Sequence, residues 1–197
     1  MRLPWRRERD EGAVPEPPDS PTVVGSEDPG LPSRAELTAL LDEEGGHTAV
    51  HRLTDALIRQ MGDRSDADAV DFIRSQSPGL RMIWGVFMLE GEVNNGGFNQ
   101  FFWNSSRHYL PEVREGCTLI GAHEHLSLAE EALVVYEEHR GRLGELKDEN
   151  TLEAFSASYE ANVFHELDNR FFELDSMPLQ VAYIRAHLDE FCHDPAS

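Results

Sequence analysis

Carboxylates dominate the residues of this chain that could do chemistry. There are 37 Asp and Glu against 17 Lys and Arg, a formal charge of −20 over 197 residues. One stretch orders them. At about 100° per residue, Glu124, Glu130, Glu131, Glu137 and Glu138 fall on one arc of a helix. Leu128, Ala129, Ala132, Leu133, Val135 and Tyr136 fall on the other. Glu124, Glu131 and Glu138 stand about 10 Å apart along the axis at the usual helical rise. No lysine or arginine interrupts the row, so the expectation is an unneutralised array that a cationic protein surface would engage. A plain solvated helix face accounts for the same pattern. Neighbouring segments add Glu145, Asp148, Glu149, Glu153 and Glu160. Duplex DNA carries one charge per roughly 3.4 Å on each strand. Carboxylates from two or three adjacent helices approach that density, and one helix alone does not.

The second distinctive feature is the string Glu92-Val93-Asn94-Asn95-Gly96-Gly97-Phe98-Asn99-Gln100-Phe101-Phe102-Trp103-Asn104. Gly96 or Gly97 can take the left-handed conformation that closes a helix. Asn94 or Asn95 can satisfy the backbone groups exposed there, while Phe98, Phe101 and Phe102 anchor the reversed chain. This reads as a structural corner between two buried helices. A polar pocket of Glu92, Asn95 and Gln100 is the functional counter-reading, with Glu90 and Glu92 the first candidates for acid–base work.

Other chemistry is not indicated. There is no nucleophile elbow, phosphate-binding glycine loop or HExxH. His123 and His125, two residues apart on a helix, point away from each other. No metal ligand set, cofactor or catalytic residue is assigned. Cys117 lies in an apolar helical stretch and reads as a small core residue. With Cys192 it matches no disulfide framework, which fits a reducing compartment.

These residues must be positioned by helices. Apolar spacing predicts helices over Leu37–Leu41, Val50–Met61, Asp66–Ser75 and Leu80–Val93. A short one follows the Asn-Gly string, then Pro111 to Ile120, 124–139, 151–173 and one after Pro178. No stretch alternates with period two. The expected class is all-α, a compact multi-helix acidic domain over 34–197. Ser33 is its N-cap and Glu36 the partner in a capping box. Residues 1–33 hold seven of the eleven prolines and read as a disordered tail. The charge is −12 over residues 120–197, −5 over 34–119 and −3 over 1–33. Such acidity disfavours direct binding to nucleic acid or an anionic membrane. No run approaches the roughly 18 apolar residues of a membrane span, so a cytoplasmic protein is expected.

Glu92 to Asn104, then Leu119-Ile120-Gly121-Ala122, then Leu167-Asp168-Asn169-Arg170-Phe171-Phe172-Glu173-Leu174 resemble, in that order, the acidic bacterial DNA-mimic protein family. The motif at its centre is Asn94, Asn95, Gly96, Gly97 and Phe98. The likeness covers about residues 80–190. It implies an all-helical fold, a homodimer, no cofactor and no enzymatic activity. It further implies that acidic side chains imitate DNA phosphates and occupy the DNA-binding surface of a helix-turn-helix regulator, competing with DNA. Two other readings use different partners. One is an immunity or antitoxin-like inhibitor of a basic nuclease or toxin; the other is a small metal-dependent enzyme at the Asn-Gly turn.

Overall fold

The computed structural model describes residues 30–149, 151–159 and 163–193; the side chains of Asp148, Glu149 and Leu152 are not described. Among these residues there are nine α-helices and no strand: α1 Arg34–Asp42, α2 His47–Met61, α3 Asp66–Arg74, α4 Pro78–Trp103, α5 Leu110–Ile120, α6 His123–Glu149, α7 Leu152–Ser158, α8 His165–Phe171 and α9 Met177–Ala186. The all-α expectation holds. Short 3-10 turns link several of the helices.

Helix α4 is the axis of the molecule. Pro78 opens it and the Ser77 hydroxyl accepts the Leu80 N–H, so the chain starts helix where proline's missing donor costs nothing. Its side chains are buried on several faces, including Met82, Ile83, Trp84, Leu89, Val93, Phe98 and Phe101. A helix apolar around most of its circumference must be enclosed by others. Helix α5 lies closest, and small residues allow it. A Cβ on Gly85 would fall 2.5 Å from the Glu112 carbonyl, and one on Gly116 would fall 3.0 Å from the Met82 Cα. Gly121, at φ 73°, closes α5, and the chain turns back as α6.

Four boundaries differ from the sequence reading. Residues 30–33 are packed: Pro32 is buried, its carbonyl accepts the His193 N–H, and Arg52 donates to the Gly30 carbonyl. The tail reading for 1–29 lies outside the described residues. The capping box is half made, because Ser33 accepts the Glu36 N–H while the Glu36 carboxylate accepts from Arg52 at 2.9 Å. Helix α6 runs ten residues past the expected end, through Gly141 and Gly144; buried Leu143 and a Lys147 bond to the Trp103 carbonyl hold this part of it to the body. The helix expected over 151–173 is two, with Thr151 capping α7 and α8 starting only at His165.

Candidate functional site

The α6 carboxylates are not the open row that the sequence pattern implies. Arg114 of α5 grips Glu130, its Nη2 2.9 Å from Oε2. Arg170 of α8 grips Glu131 from the other side, at 2.7 and 3.3 Å, and the Ser127 hydroxyl adds a third bond. Arg140, one turn on, stands 3.3 Å from Glu137. The Arg114 and Arg170 guanidiniums hold the Glu130 and Glu131 carboxyls below the usual range. The Arg114 and Arg170 pairs are two-point contacts, which orient helices against each other as well as cancelling charge, whereas Arg140 and Glu137 meet at one point within α6. The expectation of an unneutralised array is therefore overturned at Glu130, Glu131 and Glu137. A helical projection of α6 could not reveal it, because two of the three cations come from other helices.

The rest of the acidic set stands differently. Glu124, Glu138, Glu145 and Glu153 are exposed and form no ion pair within 4 Å among the described residues, although Glu124 feels the charge of Arg170. The Asp148, Glu149 and Glu160 side chains lie outside the described residues. Two carboxylates not singled out from sequence, Glu173 and Asp175, join Glu124 around a groove of about 500 Å³ between the start of α6 and the α8–α9 connection. Leu174, Leu179, His123, His125 and the Gly121-Ala122 turn line the rest of it. Asp175 also accepts the Met177 N–H at 2.9 Å, at the start of α9. His125 is 6 % exposed, lies edge-on to Phe171 and stands 3.5 Å from Glu90. Glu173 was visible in the motif string; its place beside Glu124 was not, since 49 residues separate them.

The Asn-Gly string makes a kink within α4 rather than a reversal. Only Gly96 (φ −159°, ψ 27°) and Gly97 (φ 69°, ψ −178°) leave helical geometry. Asp168 of α8 fills the notch, its Oδ1 accepting the Phe98 N–H at 2.8 Å. A Cβ on Gly97 would fall 2.5 Å from that carboxylate. Tyr159 donates to the Gly96 carbonyl at 2.9 Å. Glu92 is 1 % exposed and accepts from Gln100 at 2.7 Å, Asn104 at 2.8 Å and the Ser106 hydroxyl. Asn95 donates to Gln100 at 3.0 Å. A buried carboxylate so fully hydrogen-bonded serves as a hub. The Glu92, Asn95 and Gln100 cluster is a filled polar network, and the corner reading accounts for it. Glu90 is engaged as well, accepting the Ser176 hydroxyl at 2.6 Å.

The Glu92–Asn104 and Leu167–Leu174 strings are thus two halves of one joint. The family model described as DMP19-like protein matches residues 74–187, more than half of the chain and all of this joint. The chain belongs to the DMP19-like family. That family is one of DNA mimics. No curated protein and no solved structure matches the chain. The DMP19-like segment contains α4 to α9, and so both the kink and the acidic residues of α6, α7 and the α8–α9 connection. Helices α1 and α2, and α3 except for Arg74, lie outside it; α1 packs against α9, and α2 against α4 and α9. Among the described residues, no group of three His, Cys, Asp or Glu side chains could hold a metal ion. No helix among them is long and apolar enough to cross a membrane. Cys117 is buried in the core, and that burial pushes its thiol up to about 12, the wrong direction for a nucleophile.

Proposed function

We propose that the chain is a non-enzymatic DNA mimic of the cytoplasm. Its unpaired carboxylates stand in for phosphates and occupy the DNA-binding face of a basic protein, a helix-turn-helix regulator being the partner class. The observation that carries this reading is membership of a DNA-mimic family by a chain whose C-terminal part bears a net charge of −12. The groups that would do the work are Glu124, Glu173 and Asp175 at the groove, and Glu138, Glu145 and Glu153 on distal α6 and α7. Glu130 and Glu131 are excluded, because a carboxylate held at two points by a guanidinium projects little field; Glu137, loosely paired with Arg140, is left out of the set as well. Distal α6 supports the reading further: Glu138 and Glu145 are about 10 Å apart on a helix that fixes their spacing. Encounter driven by such exposed charge is fast and salt-sensitive, since screening sets in beyond about 8 Å at physiological ionic strength.

The test is a pull-down from the native host with mass spectrometry, followed by competition with duplex DNA. Recovery of a DNA-binding protein that duplex DNA displaces is the expected result. E138Q/E145Q/E153Q should weaken its capture by about tenfold or more and E131Q much less, because only the first set removes unpaired charge. The mimic reading fails if DNA does not compete, or if the triple variant binds as wild type. Recovery of a basic nuclease or toxin instead would assign the inhibitor role.

A further inference from the structure

Cations are scarce here, and eight arginines of the described chain hold a carboxylate. Among those that form no such pair, Arg107 and Lys147 sit together. Arg107 donates to the Phe102 carbonyl at 3.2 Å and Lys147 to that of Trp103. Both therefore gather at the C-terminal end of α4, where the helix carries partial negative charge. Backbone carbonyls leave a formal positive charge uncancelled. The crowding shows in its neighbours. Burial, then Arg107, pushes Lys147 down to about 8, and burial, then Arg107 and Lys147, holds His108 below its ordinary value.

A cleft of about 270 Å³ opens beside Arg107, between the turn after α4 and the middle of α6. Arg107, His108 and Arg140 supply its polar side. Phe102, Tyr136 and Leu133 supply an apolar side, with the Phe102 and Tyr136 rings stacked at 4.6 Å and 11°. Glu137 is the one carboxylate of the lining, and its pair with Arg140 is loose, both side chains being more than half exposed. Such a pair contributes little and yields readily to a competing anion.

We propose that this cleft binds a small organic anion, its phosphate or carboxylate end between Arg107 and Arg140 and its flat apolar body against Tyr136 and Leu133. Planar guanidiniums match the oxygens of either head group in two-point geometry. The volume lies just below the usual range for small-molecule sites, roughly 300–1,000 Å³, which limits the ligand to about one ring. The overall charge of −20 opposes the anion at long range. At physiological salt, screening confines each charge to about 8 Å, so the head group responds mainly to the local cations. The site is independent of the DNA-mimic reading and uses none of the carboxylates assigned to it.

The experiment is calorimetric titration of the full chain with phenyl phosphate in 0.15 M NaCl. Inorganic phosphate and benzyl alcohol serve as head-only and body-only probes. Saturable binding of phenyl phosphate is expected, with both controls at least about tenfold weaker. R140Q should weaken it at least about tenfold, as should R107Q. E137Q should tighten it, because it removes the carboxylate that competes for Arg140. R59Q, on the exposed side of α2, should leave it unchanged. R140Q alters an exposed side chain and keeps the test valid should R107Q fail to fold. The proposal is overturned by no saturable heat up to about 10 mM ligand. It is equally overturned by R140Q binding as wild type, by E137Q weakening binding, or by inorganic phosphate binding as tightly as phenyl phosphate.

Discussion

Gly97→Ala offers the sharpest test of why the Asn-Gly string and the Asp168 string occur together. At φ 69° and ψ −178°, Gly97 occupies backbone space essentially closed to residues with a side chain; entering it costs about 1–3 kcal/mol. The added methyl would also fall 2.5 Å from Asp168 Oδ2, so the carboxylate must swing away and release the Phe98 N–H. Phe98 is fully buried, and a buried donor left unmatched costs about 1–3 kcal/mol. The two effects together come to about 4 kcal/mol, or a fall of about 8–16 °C in Tm for a chain of this size. Urea denaturation and calorimetry both read it. Gly91→Ala, on the same helix with nothing within 4 Å of its added methyl, is the matched control and should stabilise by up to about 1 kcal/mol. In an Asp168→Ala background the clash is gone, so Gly97→Ala should cost only its backbone share, about 2 kcal/mol. If Gly97→Ala costs under about 1 kcal/mol, or costs as much without Asp168 as with it, the joint does not work as argued.

Three further outcomes follow from the titrating groups. Burial raises the Asp168 pKa above its ordinary value against the pull of the Phe98 N–H. The native state therefore holds that proton more tightly than the unfolded chain, and the stability this group provides at acid pH is lost as pH rises through its native pKa. Asp168→Asn keeps an acceptor and drops the charge, so urea midpoints should move in its favour relative to wild type between about pH 4 and neutrality. Glu115, Glu130 and Glu131 have the opposite sign. Arg81, Arg114 and Arg170 hold them low, so their stabilisation is present at neutral pH and disappears as pH falls through their depressed native values. An R114Q/R170Q variant should show a flatter Tm profile between about pH 5 and pH 3 than wild type. Lys147, the one lysine of the chain, is pushed down to about 8. Competitive acetylation followed by mass spectrometry should place its midpoint near that value, and one above about 10 would contradict its burial beside Arg107.

The helices were legible because each carries its own signal. Ser65 and Ser77 cap, Pro78 and Pro111 open, Gly62 and Gly121 close, and apolar residues recur at helical spacing between them. The errors fall where a distant partner decides. The helix expected over 124–139 runs on through Gly141 and Gly144, because Leu143 and Lys147 hold it against the body. The Asn-Gly string reads as a reversal, yet Asp168, 71 residues beyond Gly97, turns it into a kink that the α4 helix survives. Local sequence specifies what a segment prefers, and the partner across the core specifies how far that preference runs.

The same division governs the candidate site, and it changes what acidity means here. Counting carboxylates on a helical projection treats each as equally available. Glu130 and Glu131 are adjacent in sequence and project from one face, yet each is held by a guanidinium from a different helix. Their role is to tie α5 and α8 to α6. That tie in turn sets where Glu173 and Asp175 stand relative to Glu124, because both follow directly from α8. The paired acids thus build the frame, and the unpaired ones present the charge. A surface that is to be mistaken for a polynucleotide needs both, since carboxylates held at fixed spacing attract a rigid cationic face with less loss of side-chain freedom than the same number on a loose chain. Sequence can count these acids, but only the fold separates those gripped by a guanidinium from another helix from those left exposed without one.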